Sequence, residues 1–85
     1  MNELDSISEP DELPRVSIML VEARTAKRLS QEDVASQLFL TATIIRQMDE
    51  CLFHVMSKPA YVRGYLRTYA KVIGLSGDDV IEAFN

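Results

Sequence analysis

The chain is short of the residues that build stapled, membrane-crossing or metal-dependent proteins. One cysteine, Cys51, cannot form an intramolecular disulfide, and it suits a reducing compartment. Tryptophan is absent, and three glycines and three prolines are too few for a collagen-like, Gly-rich or Pro-rich scaffold. No run of about 18 apolar residues exists, so these residues contain no membrane span. The start, Met1-Asn2-Glu3-Leu4-Asp5, has neither the basic opening nor the apolar stretch of a signal peptide. His54 has no second His or Cys at ligand spacing, which argues against zinc. Cys51 lies three residues from His54, but a nucleophile also needs an oriented base and a water-excluding pocket. No Gly-rich phosphate loop is present. Eighty-five residues make one small domain that buries roughly 60–65% of its unfolded surface. A binding module without cofactor, metal or catalytic role is the expectation.

Charge is unevenly distributed. The net charge is −4. Residues 1–14 hold Glu3, Asp5, Glu9, Asp11 and Glu12 and no base, which reads as a disordered acidic tail. Residues 51–77 carry Lys58, Arg63, Arg67 and Lys71 and no acid. The folded domain is expected over residues 15–85.

Strand signals are nearly absent, whereas helix punctuation recurs. A first helix spans Val16 to Lys27, with Ile18, Leu20, Val21 and Ala26 at helical spacings. Ser30 is an N-cap followed by Gln31, Glu32 and Asp33, and Thr41 is the next N-cap. Pro59 suits the first turn of a long fourth helix that Gly74 stops, and Ser76 caps a last helix ending near Phe84. The expected fold is all-α, a bundle of five helices of the repressor-like helix-turn-helix type. Within it, Ala35 allows the second and third helices to approach, and Leu38, Leu40, Ile44, Ile45 and Met48 lock them together.

Two surfaces follow. The exposed start of the third helix offers Thr41, Thr43, Arg46 and Gln47, of which Arg46 and Gln47 suit base edges. Yet only one base lies in that helix, Asp49 and Glu50 follow it, and DNA readers surround the reading helix with phosphate-binding cations. On the fourth helix Tyr61, Tyr65 and Tyr69 advance by about 40° per step and share one strip, beside the apolar strip Val62, Leu66, Ala70 and Ile73. So wide an apolar sector cannot be covered by so small a domain. Tyr69 is expected inside and Tyr61 and Tyr65 outside, with Arg63 and Arg67 nearby to complement an anionic partner. The same mixture of Tyr with Lys and Arg would also suit an anionic lipid surface. Gly64 costs about 1 kcal/mol relative to Ala in a helix, which predicts close approach of another backbone there.

The segments Ala23-Arg24, Leu29-Ser30-Gln31-Glu32-Asp33-Val34-Ala35, Tyr61-Val62-Arg63-Gly64-Tyr65-Leu66-Arg67-Thr68-Tyr69-Ala70 and Gly74-Leu75 together resemble the cytoplasmic domains of the RodZ family of bacterial cell-shape proteins. The second is shared with many phage-repressor-like domains; the aromatic-x-Arg-Gly-aromatic-Leu-Arg-x-Tyr-Ala run is the specific part. The resemblance implies a helix-turn-helix fold used to bind protein, an adaptor coupling the actin-like filament protein MreB to the inner membrane from its cytoplasmic side. It places Tyr61 and Tyr65 in that contact, with Arg63 and Arg67 as neighbours. It also implies that this soluble module belongs to a longer protein with a membrane helix. The alternative is a sequence-specific DNA-binding regulator using Thr41, Thr43, Arg46 and Gln47. Two departures from the family pattern stand out: Arg28 occupies a position where a helix-ending Gly is common, and 51–58 is an unusual connection.

Overall fold

The computed structural model describes residues 14–56 and 59–85. The expected acidic tail lies outside the described residues except for Pro14. Five α-helices form the domain: α1 Arg15–Ala26, α2 Gln31–Leu38, α3 Ala42–Asp49, α4 Val62–Val72 and α5 Gly77–Phe84. Short 3-10 turns at Phe53–Val55 and Pro59–Tyr61 fill the connection between α3 and α4. No strand occurs among the described residues. The all-α, five-helix architecture matches expectation. The fourth helix differs at its start, because Pro59 opens a 3-10 turn and the α-helical bonding begins three residues later.

Side-chain caps fix three of the starts. Ser30 Oγ accepts a hydrogen bond from the Asp33 N–H at 2.9 Å, and the Asp33 carboxylate accepts one from the Ser30 N–H at 2.8 Å, a reciprocal capping box. Thr41 and Ser76 cap α3 and α5 by accepting from the Ile44 and Asp79 N–H groups.

Four successive helices end in the same way. One or two residues past the helix the chain takes a left-handed conformation, at Arg28, Phe39, Cys51 and Gly74, with φ of 58°, 57°, 58° and 80°. The next N–H then reaches five residues back: Leu29 to the Ala23-following Arg24 carbonyl, Leu40 to Ala35, Leu52 to Gln47 and Leu75 to Ala70. This is the Schellman arrangement, in which carbonyls left over at the helix end find donors. Only one of the four turn residues is glycine. In every case the residue that follows is leucine, and Leu29, Leu40 and Leu75 pack against the core.

The core is continuous. Leu20, Val34, Ile45, Met48, Leu66, Tyr69, Ala70 and Val80 are fully enclosed. The inward face of α1 is Val16, Ser17 and Leu20. Ile18 and Ala26, which their spacing had suggested for that face, are exposed instead. Ser17 is accommodated because its hydroxyl donates to the Met48 carbonyl at 3.2 Å. α2 packs on α3 to form the helix-turn-helix pair, and α4 packs chiefly on α5.

Candidate functional site

α4 carries two different environments along one helix. Near its C-terminal end Tyr69 is fully buried and its hydroxyl donates to Asp49 Oδ1 at 2.6 Å. Asp49 Oδ2 accepts from Arg24 at 3.0 Å and from Gln31 Nε2 at 2.9 Å. Arg24 Nε also donates to the Tyr69 oxygen at 3.1 Å, and its Nη1 donates to the Leu29 carbonyl at 3.0 Å. One carboxylate therefore ties α1, α2, α3 and α4 together, with partners on both oxygens, as a buried charge requires. Burial, reinforced by the hydrogen bond to Asp49, pushes the Tyr69 pKa well above the ordinary value of 10, so the phenol remains a donor.

The knot corrects one reading. Asp49 was counted with Glu50 among the acids that speak against DNA binding, but it is 3% exposed and serves the core. The signal lay in its register: Asp49 stands four residues after Ile45 and next to Met48, on the stripe that α3 buries.

The other end of α4 opens outward. Tyr61 is 55% exposed, whereas Tyr65, also expected outside, is half-buried because its ring packs against the core; the two rings meet edge to face at 6.0 Å between centroids. Between this pair and the α2–α3 turn runs a groove of about 400 Å³, lined by Leu38, Leu40, Ala60, Tyr61, Gly64, Tyr65 and Thr68. The Thr68 hydroxyl donates to the Tyr65 carbonyl at 3.0 Å, so it serves its own helix. Phe39, between two of the lining leucines in sequence, is 94% exposed.

Two expectations about this region change. Gly64 was expected where another backbone approaches; it is exposed, and beyond the backbone of its own helix a Cβ built there meets nothing within 4 Å among the described residues. Arg63 and Arg67 were expected to frame the tyrosines for an anionic partner, but they face α5. The Arg63 guanidinium stacks over the Phe84 ring at 5.3 Å, and that ring meets Phe53 edge-on at 4.8 Å. Arg67 pairs with Asp78 at 2.8 Å. At about 100° per residue the tyrosines at 61 and 65 lie roughly 120–160° around the helix from the arginines at 63 and 67, so the two sets do not share a face.

The start of α3 has less to offer a ligand than its composition suggested. Thr41 Oγ1 is the cap of its own helix. Arg46 pairs with Glu50 at 3.3 Å, and Gln47 is partly buried. Thr43 is exposed. Cys51 is half-buried at the end of α3, and His54 is exposed in the following 3-10 turn.

Two short helices, a tight turn between them and bracing helices on either side define an all-α helix-turn-helix domain. Residues 19–80 match the helix-turn-helix domain family, and the chain belongs to it. It is similar to an uncharacterized protein of Haemophilus influenzae, 42% identical over 55 residues. That stretch covers 64% of this chain and 18% of the relative, so the chain spans under a fifth of that protein's length. No solved structure matches the chain. No helix among the described residues is long and apolar enough to cross a membrane.

Proposed function

We propose that this domain is a RodZ-type cytoskeletal adaptor. It docks on an MreB-like, actin-like filament protein through Tyr61 and Tyr65 and serves at the cytoplasmic face of the inner membrane as a non-catalytic binding module. One observation carries the reading: an edge-to-face tyrosine pair at the start of α4, Tyr61 exposed and Tyr65 half-buried, beside an apolar groove. Paired aromatics of this kind, rigid and already half desolvated, are the residues that dominate interface energetics. Arg63 and Arg67 are engaged by α5 on the other side of α4 and stand apart from this contact.

The second reading, DNA binding through Thr43, Arg46 and Gln47, draws support from the helix-turn-helix family membership. Against it stand the engagement of Arg46 by Glu50 and the shortage of phosphate-binding cations on α3. Titration calorimetry with the purified filament protein separates the two. Tyr61→Ala with Tyr65→Ala should weaken binding by about 2 kcal/mol or more, roughly thirtyfold, while the circular dichroism stays helical. Unchanged affinity of that variant would remove the adaptor reading. Salt-sensitive binding to a DNA duplex at low ionic strength would favour the alternative.

A further inference from the structure

Several cations of the domain are already engaged. Arg24 and Arg46 pair with Asp49 and Glu50, Arg67 pairs with Asp78, and Arg63 lies over the Phe84 ring. Arg15, Lys27, Arg28 and Lys71 have no carboxylate partner among the described residues. The last three gather at one end of the fold, where the turn after α1 meets the turn after α4. A Cβ built on Gly74 would lie 3.1 Å from Lys27 Cε and 3.7 Å from its Nζ, so the Lys27 side chain runs across the end of α4. Lys71 stands in the last turn of that helix and Arg28 follows Lys27, and all three residues are exposed. Helix ends attract cations, but not this many. The carbonyls left at each C-terminus amount to roughly half a negative charge, about one for α1 and α4 together, so roughly two positive charges stay uncompensated.

The same chain holds an excess of the opposite sign. Residues 1–13 carry Glu3, Asp5, Glu9, Asp11 and Glu12 and no base, and they join the fold at Pro14, the N-cap of α1. We propose that this acidic segment docks along α1 onto the cluster of Lys27, Arg28 and Lys71 and closes it to other anions. The reach is sufficient. Arg15 to Lys27 is about 18 Å along a helix axis, whereas an extended chain can carry Asp5 about 30 Å from Pro14. Asp5 and Glu3 therefore reach the cluster, while Asp11 and Glu12 stay near Arg15. The other course from Pro14 is repelled, because the groove beside Arg15 between α1 and α5 is lined by Asp79 and Glu82. Exposed ion pairs are individually weak. The contact depends on several charges acting together and on tethering, which supplies an effective concentration on the order of millimolar. It is independent of the adaptor reading, since Lys71 and Tyr61 stand at opposite ends of α4.

The test uses the whole chain with its five acids neutralised: Glu3→Gln, Asp5→Asn, Glu9→Gln, Asp11→Asn and Glu12→Gln. Chain length is kept and residues 15–85 are unaltered. In nuclear magnetic resonance at low salt, the amide signals of Lys27, Arg28 and Lys71 should differ between this variant and the unmodified chain. The difference should fade in about 0.5 M NaCl, where surface charges are screened. Pyrophosphate, titrated against the same signals, should bind the neutralised variant about threefold to tenfold more tightly. Adding Lys27→Gln with Lys71→Gln should abolish that gain. Identical cluster signals in the two proteins, or changes confined to Arg15, would overturn the docking. Equal pyrophosphate affinity would overturn the closure. Phosphatidylglycerol vesicles that bind the unmodified chain as well as the neutralised one would show the cluster open to an anionic lipid surface, and would likewise overturn it.

Discussion

Tyr65 and Tyr69 are one helical turn apart on α4 and meet opposite surroundings. Tyr69 ends in a carboxylate reached by four helices, whereas Tyr65 pairs with Tyr61 at the edge of an open groove. The difference lies in what each hydroxyl can reach. A buried phenol needs a partner, and Asp49 supplies one; a phenol at the rim can use water, so its ring is available for contact with another surface. One half of α4 therefore holds the domain together, and the other half presents it.

The largest expected effect falls on the inner half. Asp49→Ala leaves Arg24, whose side chain is 14% exposed, without its carboxylate, and strips the Tyr69 hydroxyl of its acceptor. Breaking such a buried pair from one side costs about 3 kcal/mol or more. In a domain of this size that lowers the thermal midpoint by roughly 12–24 °C, measurable by circular dichroism. Tyr61→Ala at the outer half should cost under about 1 kcal/mol of stability. Equal losses from the two variants would erase the distinction between the halves of α4.

Tyr69→Phe sharpens the contrast through pH. It keeps the ring and removes two hydrogen bonds to charged groups, the one donated to Asp49 and the one accepted from Arg24, for a loss of about 1.5–3 kcal/mol at neutral pH. The folded-state pKa of Tyr69 is raised above the ordinary 10, so the folded protein holds this proton more tightly than the unfolded chain. The associated stability is fully present below pH 10 and is lost as the pH climbs beyond it. Denaturant midpoints measured upward from pH 9 should fall less steeply for Tyr69→Phe than for the unmodified domain.

The helix starts were readable because Ser30, Thr41 and Ser76 are side chains that bond backbone directly. The helix ends were readable only at Gly74, since Arg28, Phe39 and Cys51 adopt the same left-handed conformation without being glycine. A subtler signal was present. A leucine follows each turn, and at three of the four, Leu29, Leu40 and Leu75, it packs inward to close the motif, a pattern that survives where glycine does not. The exposure of Tyr61 was legible from the width of the apolar sector. The buried knot was not, because its members are spread over Arg24, Gln31, Asp49 and Tyr69, and only the packing of four helices brings them together. Gly64 was recognised as costly but assigned the wrong cause, since a helix sequence does not reveal whether a neighbour or a void faces the missing side chain.

Phe39→Gly has the smallest expected effect on stability, and it carries the opposite sign. For an L-residue with a side chain the left-handed conformation costs roughly 1 kcal/mol, a penalty glycine escapes. Against this, glycine raises the conformational entropy of the unfolded chain, which takes back part of the gain. Loss of the ring removes almost no burial, because it is 94% exposed. The two backbone effects leave a net stabilisation of up to about 0.5 kcal/mol, or a degree or two in thermal midpoint. The flanking bonds, Leu40 N–H to Ala35 and Phe39 N–H to Ser36, are retained because they belong to the backbone. A destabilised Phe39→Gly would mean that the ring supports the α2–α3 turn from outside. A stabilised one would leave Phe39 as a residue whose backbone cost the isolated domain does not recover.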